Sequence, residues 1–214
     1  MTKRLSFVIF YSLLAFAAQA KTMVEIWSLM PDSIIPYIDR THRLEMTDFI
    51  RMGLQGDVAN SLSGKSQMDT ITTDYIHLTL NETTDMELKR LPYNGGDSLL
   101  CLVTTFKGPE PESKVRFFTQ EWQTINLPQA FDGKGLSDLA ARLFVRPDTM
   151  SQEHFAETCA MVDPVMLGAR LSAADSNMTV SLSAPLLQAS DRQRVTTVTK
   201  PLTLRWDGSG FKAE

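Results

Sequence analysis

The chain has 214 residues, with 21 basic and 25 acidic side chains and a formal charge of −4; it has no run of Lys and Arg to make the clustered basic face that a nucleic-acid partner needs. Its two Cys and three His include no CxxC and no His/Cys cluster, so composition gives no support to a zinc site. A chain of this length buries an ordinary core without staples.

Lys3 and Arg4 give a positive start, residues 5–17 are almost wholly apolar and uncharged, and Ala18-Gln19-Ala20 places small residues where a signal peptidase reads. This pattern predicts a secretory signal peptide over residues 1–20. Its apolar run is shorter than the roughly 20 residues that span a bilayer, and nothing later in the chain reads as a transmembrane segment. No Cys follows Ala20, so there is no lipoprotein-type acylation site. Two of the 21 basic residues and none of the 25 acidic ones lie in this segment, which leaves residues 21–214 with a formal charge of −6. The expected location is the periplasm or the outside of the cell. Export permits a disulfide between Cys101 and Cys159, worth about 4 kcal/mol in the chain-entropy model. The alternative is two separate thiols, since Cys packs well as a small hydrophobe and Cys101 sits in the most apolar run of the chain.

Asp32 or Ser33 is placed to cap a short helix through Ile38, with Pro36 in its first turn. Met46, Phe49, Ile50, Gly53 and Leu54 then form one apolar stripe at helical spacing, with Gly56 as its stop. Over residues 74–80, Ile76, Leu78 and Leu80 alternate with Tyr75, His77 and Thr79, the pattern of a strand with one face to the core. Residues 86–91 return, with Met86 and Leu88 on one face and Glu87 and Lys89 on the other. After the turn signal Asn94-Gly95-Gly96-Asp97, residues 99–106 are nearly continuously apolar, as in a central strand covered on both sides. A strand over 115–119 completes a four-strand meander that ends near Trp122.

Leu136, Leu139, Ala140 and Leu143 then have helical spacing, and Ser151 caps a second helix carrying Phe155, Cys159 and Val162, ended by Pro164. Strand alternation returns at Met178, Val180 and Leu182 and again at Leu202, Leu204 and Trp206. The layout predicts an α+β fold, with antiparallel sheets packed against helices in one domain over 21–214. It suggests two similar helix-plus-meander halves, 21–125 and 126–214. Adjacent strands with short polar turns argue against parallel βαβ winding.

Several runs, in order, resemble a secreted family of Bacteroidales bacteria known as domain of unknown function 3256. They are Leu29-Met30-Pro31-Asp32-Ser33, Thr73-Asp74-Tyr75-Ile76-His77-Leu78, Glu87-Leu88-Lys89-Arg90-Leu91-Pro92, Lys114-Val115-Arg116-Phe117-Phe118-Thr119 and Leu202-Thr203-Leu204-Arg205-Trp206-Asp207-Gly208. The resemblance implies export in a Gram-negative anaerobe. It brings no activity and no catalytic residues.

No GxSxG elbow, HExxH or phosphate loop is present. His42 and His154 read as surface residues. His77 shares a strand face with Tyr75 and Thr79, a polar and aromatic strip suited to ligand contact; a cross-strand polar pair on a solvated sheet face is the plainer reading. Asp74 and His77 lie three apart on a strand and point to opposite faces, so they form no dyad. Trp122, flanked by Glu121 and Gln123, is the aromatic expected to be partly exposed. The Met residues, among them Met23, Met30, Met46 and Met52, read as core filling. The function expected is a non-catalytic envelope protein that binds a protein or a glycan through Tyr75, His77, Thr79 and Trp122, with no cofactor and no metal. The alternatives are a periplasmic hydrolase with a dispersed site, in which His77 is the base, and an inhibitor of a secreted enzyme acting through the loop at 108–112.

Overall fold

The computed structural model describes residues 21–94, 96–127, 131 and 133–213. The expected signal peptide lies outside the described residues, as does Gly95 of the predicted turn.

Helix α1 (Met23–Ser28) starts where Thr22 and Glu25 satisfy each other's amides: Thr22 Oγ1 accepts from Glu25 N at 3.2 Å, and Glu25 accepts from Thr22 N at 2.7 Å. Helix α2 (Arg40–Arg51) is capped by Asp39, whose carboxylate accepts from His42 N at 3.0 Å. The short helix expected near 32–38 is instead a series of turns. Pro36 disfavours the helical conformation at Ile35, and both Ile35 and Ile38 are drawn into the core. Arg43, 1% exposed, holds these turns by donating to Ile38 O at 2.7 Å and to Met30 O at 2.6 Å, while pairing with Asp32 at 2.9 Å. The apolar stripe of α2 also stops sooner than its spacing suggested. Gly53 takes φ +72° just past the helix, so Met52 and Leu54 are exposed, and Gly56 opens a strand instead of closing the helix.

Seven strands follow in simple antiparallel order: β1 (Gly56–Ala59), β2 (Lys65–Ile71), β3 (Tyr75–Asn81), β4 (Thr84–Tyr93), β5 (Asp97–Lys107), β6 (Pro111–Phe118) and β7 (Thr124–Ile125). The expected meander of four is therefore extended at both ends by strands whose short, mixed sequences carry little alternation. After α3 (Gly133–Leu143) and α4 (Gln152–Ala160), a second antiparallel sheet forms from β8 (Met166–Leu171), β9 (Asn177–Ser183), β10 (Leu202–Trp206) and β11 (Phe211–Ala213), in the order β11-β10-β9-β8. Helix α5 (Ala189–Thr196) lies between β9 and β10. The fold is α+β with antiparallel sheets, as the sequence pattern predicts.

The seven-stranded sheet is covered on both faces. Ile76, Leu78, Leu80, Met86, Leu88, Leu100, Leu102 and Phe118 pack with Met23, Ile26, Trp27, Met30 and Met46 from the α1–α2 side. Tyr75, Leu91, Leu99, Cys101, Val103 and Phe117 pack against Leu167, Leu171, Met178, Val180 and Leu204 of the second sheet and Leu139 and Leu143 of α3. β5 is the central strand expected, closed from Leu99 to Val103. Cys101 and Cys159 are free thiols, so the bridge that export would permit is not made in the structure. Trp122 is not the exposed aromatic expected: it is 6% exposed. A tight turn, with Trp122 N bonded to Thr119 O and φ +64° at Trp122, folds its ring against Phe118 and lets the indole N–H donate to Ile26 O at 2.9 Å. Among the described residues no helix is long and apolar enough to cross a membrane.

Candidate functional site

Antiparallel pairing of β3 with β4 places Tyr75 opposite Lys89, His77 opposite Glu87 and Thr79 opposite Asp85, all on the face turned to the second sheet. That face is polar at its centre, and the second sheet meets it edge-on. β8 is an edge strand of its own sheet, so its outer backbone groups need partners from elsewhere. Three side chains of the first sheet supply them at alternate residues. Ser113 Oγ accepts from Ala169 N at 2.9 Å and donates to Ala169 O at 3.2 Å. Glu87 Oε2 accepts from Leu171 N at 3.2 Å. Lys89 Nζ donates to Ala173 O at 3.1 Å, just beyond the strand.

These side chains are themselves paired. Tyr75 donates its hydroxyl to Glu87 Oε1 at 2.7 Å, and Lys89 binds Asp74 at 3.0 Å while lying 5.7 Å from the Tyr75 ring centre. Glu87 and Lys89 are almost fully buried. Burial raises the Glu87 carboxyl above its ordinary range, against the lowering effect of its bonds to Tyr75 and Leu171. Burial likewise raises the Tyr75 hydroxyl, with the adjoining Glu87 adding to the effect.

The strip predicted from alternation is thus divided. Tyr75 is walled in between the sheets, while His77 and Thr79 lie where the second sheet no longer covers the first. His77 does have an acidic partner, but it is Asp69, not Asp74. The register between β2 and β3 shifts between Met68 and Thr70, leaving Asp69 as an extra, bulged residue. Its two oxygens lie 2.7 and 2.9 Å from His77 Nδ1. Nothing in the local sequence marks that bulge, so the pairing was not legible beforehand.

Where the sheets part, they form a corner cleft of about 350 Å³. One wall is His77, Asp85, Glu87 and Thr105; the other is Gly168, Arg170, Thr179 and Ser181 of the second sheet. Asp85 pairs with Lys107 at 2.8 Å, and Thr105 shares a hydrogen bond with Ser113 at 2.8 Å. Arg170 is exposed and makes no hydrogen bond or ion pair among the described residues. The second wall was missed because residues 166–171 include Gly168 and Ala169 and show no clean alternation.

The cleft brings together side chains that can donate and accept hydrogen bonds. His77 is oriented by Asp69, yet no hydroxyl or thiol among the described residues bonds to it. Cys101 is sealed inside β5, where burial pushes its thiol far up, and burial also raises Cys159. His42 and His154 lie in the first turns of α2 and α4, paired with Asp39 at 2.8 Å and Glu157 at 3.6 Å. Among the described residues no group of His, Cys, Asp and Glu is placed to hold a metal ion. The loop considered for inhibition is tied down: Glu110 accepts from Ala184 N and pairs with Arg192 at 3.2 Å.

A family model described as "Protein of unknown function (DUF3256)" matches residues 15–211. Among curated proteins none matches. A solved structure described as a domain of an uncharacterized protein from Porphyromonas gingivalis W83 is similar, with a TM-score of 0.72 and 19% sequence identity. That alignment covers 91% of this chain and 100% of the other, which shows a shared fold.

Proposed function

This chain belongs to the DUF3256 family, and from that premise we propose that it is an exported, non-catalytic protein of the cell envelope that captures a partner in the corner cleft beside His77. Export is supported by the N-terminal sequence: a positive start, an uncharged apolar run and Ala18-Gln19-Ala20. The cleft is supported by one observation above the others. Arg170, which acts on the buried Glu87 and Tyr75 through its charge but makes no hydrogen bond or ion pair among the described residues, stands on one wall of a concave, polar corner whose other wall holds an oriented imidazole and a carboxylate. Unlike Glu87 and Lys89, these groups are not used to join the sheets.

The test is cross-linking in intact producing cells with a photoreactive residue placed at 179, exposed on the cleft wall, or at 52, exposed at the end of α2. Adducts at 179 that are lost with Arg170→Ala, and none at 52, are the expected result. Equal adducts at both positions would remove the cleft from consideration. A second reading, a hydrolase with His77 as base, draws on the Asp69–His77 pair, which orients the ring as a general base requires. Turnover in a screen of ester, peptide, phosphate and glycoside substrates, abolished by His77→Ala, is the outcome that would establish it over capture.

A further inference from the structure

Resting on that reading of the cleft, we propose that its ligand is polyhydroxylated, the exposed end of a glycan, held by hydrogen bonds without aromatic stacking. The two walls carry opposite character. On the first-sheet side, Asp85 keeps Oδ2 beyond its Lys107 pair, and His77, with Nδ1 committed to Asp69, has Nε2 left for a ligand. On the second-sheet side stand the Arg170 guanidinium and the hydroxyls of Thr179 and Ser181. A simple cation or anion is drawn to one wall and repelled by the other. A hydroxyl both donates and accepts. A pair of adjacent hydroxyls satisfies the two-atom fork of Arg170 on one side and still donates to Asp85 or His77 on the other.

Peptide capture finds less to use. The lining offers only Pro111, Pro201 and Ala169 as apolar contacts, with no pocket for a large side-chain anchor. Strand addition needs an open backbone edge, and the edge of β8 bordering the cleft is already capped by Ser113 and Glu87. The floor of the cleft is kept clear by Gly168: a Cβ there would meet Ser181 Oγ at 3.0 Å and Pro111 O at 3.2 Å. Among the described residues no Phe, Tyr or Trp ring lines the site. The volume is near the lower end for small-ligand pockets. Binding is therefore expected to be weak for an isolated short saccharide, with a Kd on the order of a millimolar.

The test is a titration of the ¹⁵N-labelled protein with maltotriose, chitobiose and mannobiose and, separately, with a mixture of tripeptides. At least one saccharide should shift the amide signals of Gly168, Arg170, Thr179 and Ser181, and Arg170→Ala should weaken that binding roughly tenfold with an otherwise unchanged spectrum. Shifts of the same amides by tripeptides and by no saccharide would overturn the ligand class while leaving the cleft as the site. Shifts confined to other residues, or none with any probe, would overturn both.

Discussion

The two faces of the seven-stranded sheet are built on different physics. Toward α1 and α2 the contacts are mainly Leu, Ile, Met, Phe and Trp, with Arg43 bonded to Ile38 O and Met30 O and Trp122 to Ile26 O. Toward the second sheet, apolar packing surrounds a chain of specific bonds: Tyr75 to Glu87, Glu87 to Leu171 N, Lys89 to Ala173 O and Ser113 to Ala169. The first face supplies bulk stability. The second fixes how the edge of one sheet sits on the face of another, and at its uncovered end His77, Asp85 and Thr105 bond within their own sheet and not to the other.

The two largest losses, of similar size, should come one from each face. Leu88→Ala removes a fully buried side chain between β4 and the helices, and should cost about 2–5 kcal/mol with no change in pH dependence, measured by denaturant unfolding. Glu87→Ala leaves the Tyr75 hydroxyl and Leu171 N–H without partners, and each buried orphan costs roughly 1–3 kcal/mol. Ser113→Ala takes their partner from Ala169 N–H and Ala169 O and from the Thr105 hydroxyl, all part-buried, for about 1–3 kcal/mol by the same measurement.

Glu87→Gln sharpens the comparison by separating charge from shape. Burial raises the folded Glu87 carboxyl above its unfolded value of ~4.3. The stability linked to its proton is fully present below the unfolded value and is lost as pH rises through the folded one. A Gln amide still accepts from Leu171 N–H and donates to the Tyr75 oxygen. The variant should therefore flatten the decline in stability between acidic and neutral pH, as followed by thermal unfolding across that range, while Leu88→Ala should keep the slope.

The same contrast explains what could be read from the sequence. Ile76, Leu78 and Leu80 against Tyr75, His77 and Thr79 announce a strand with an inner face, and the structure puts that inner face on the α1–α2 side. Alternation states which residues share a face; it does not state what covers the polar one. Glu87 and Lys89 look like solvated residues until β8, some eighty positions later, lays its edge across them. Asp69 reaches His77 only through a bulge. Helix α5 was missed because only Val195 is buried among its residues, so it carries no stripe. Trp122 looked exposed beside Glu121 and Gln123, but a left-handed backbone conformation turns its ring inward.

The smallest stability effect and the largest effect on capture should come from the same change. Arg170 is exposed and bonded to nothing among the described residues, so Arg170→Ala should alter stability by less than about 0.5 kcal/mol. Measuring thermal stability and partner capture side by side for this one variant tests whether the uncovered end of the polar face is a binding site. An unchanged melting temperature with capture reduced about tenfold is the predicted result. Unchanged capture, or capture that falls only in step with stability, would contradict it.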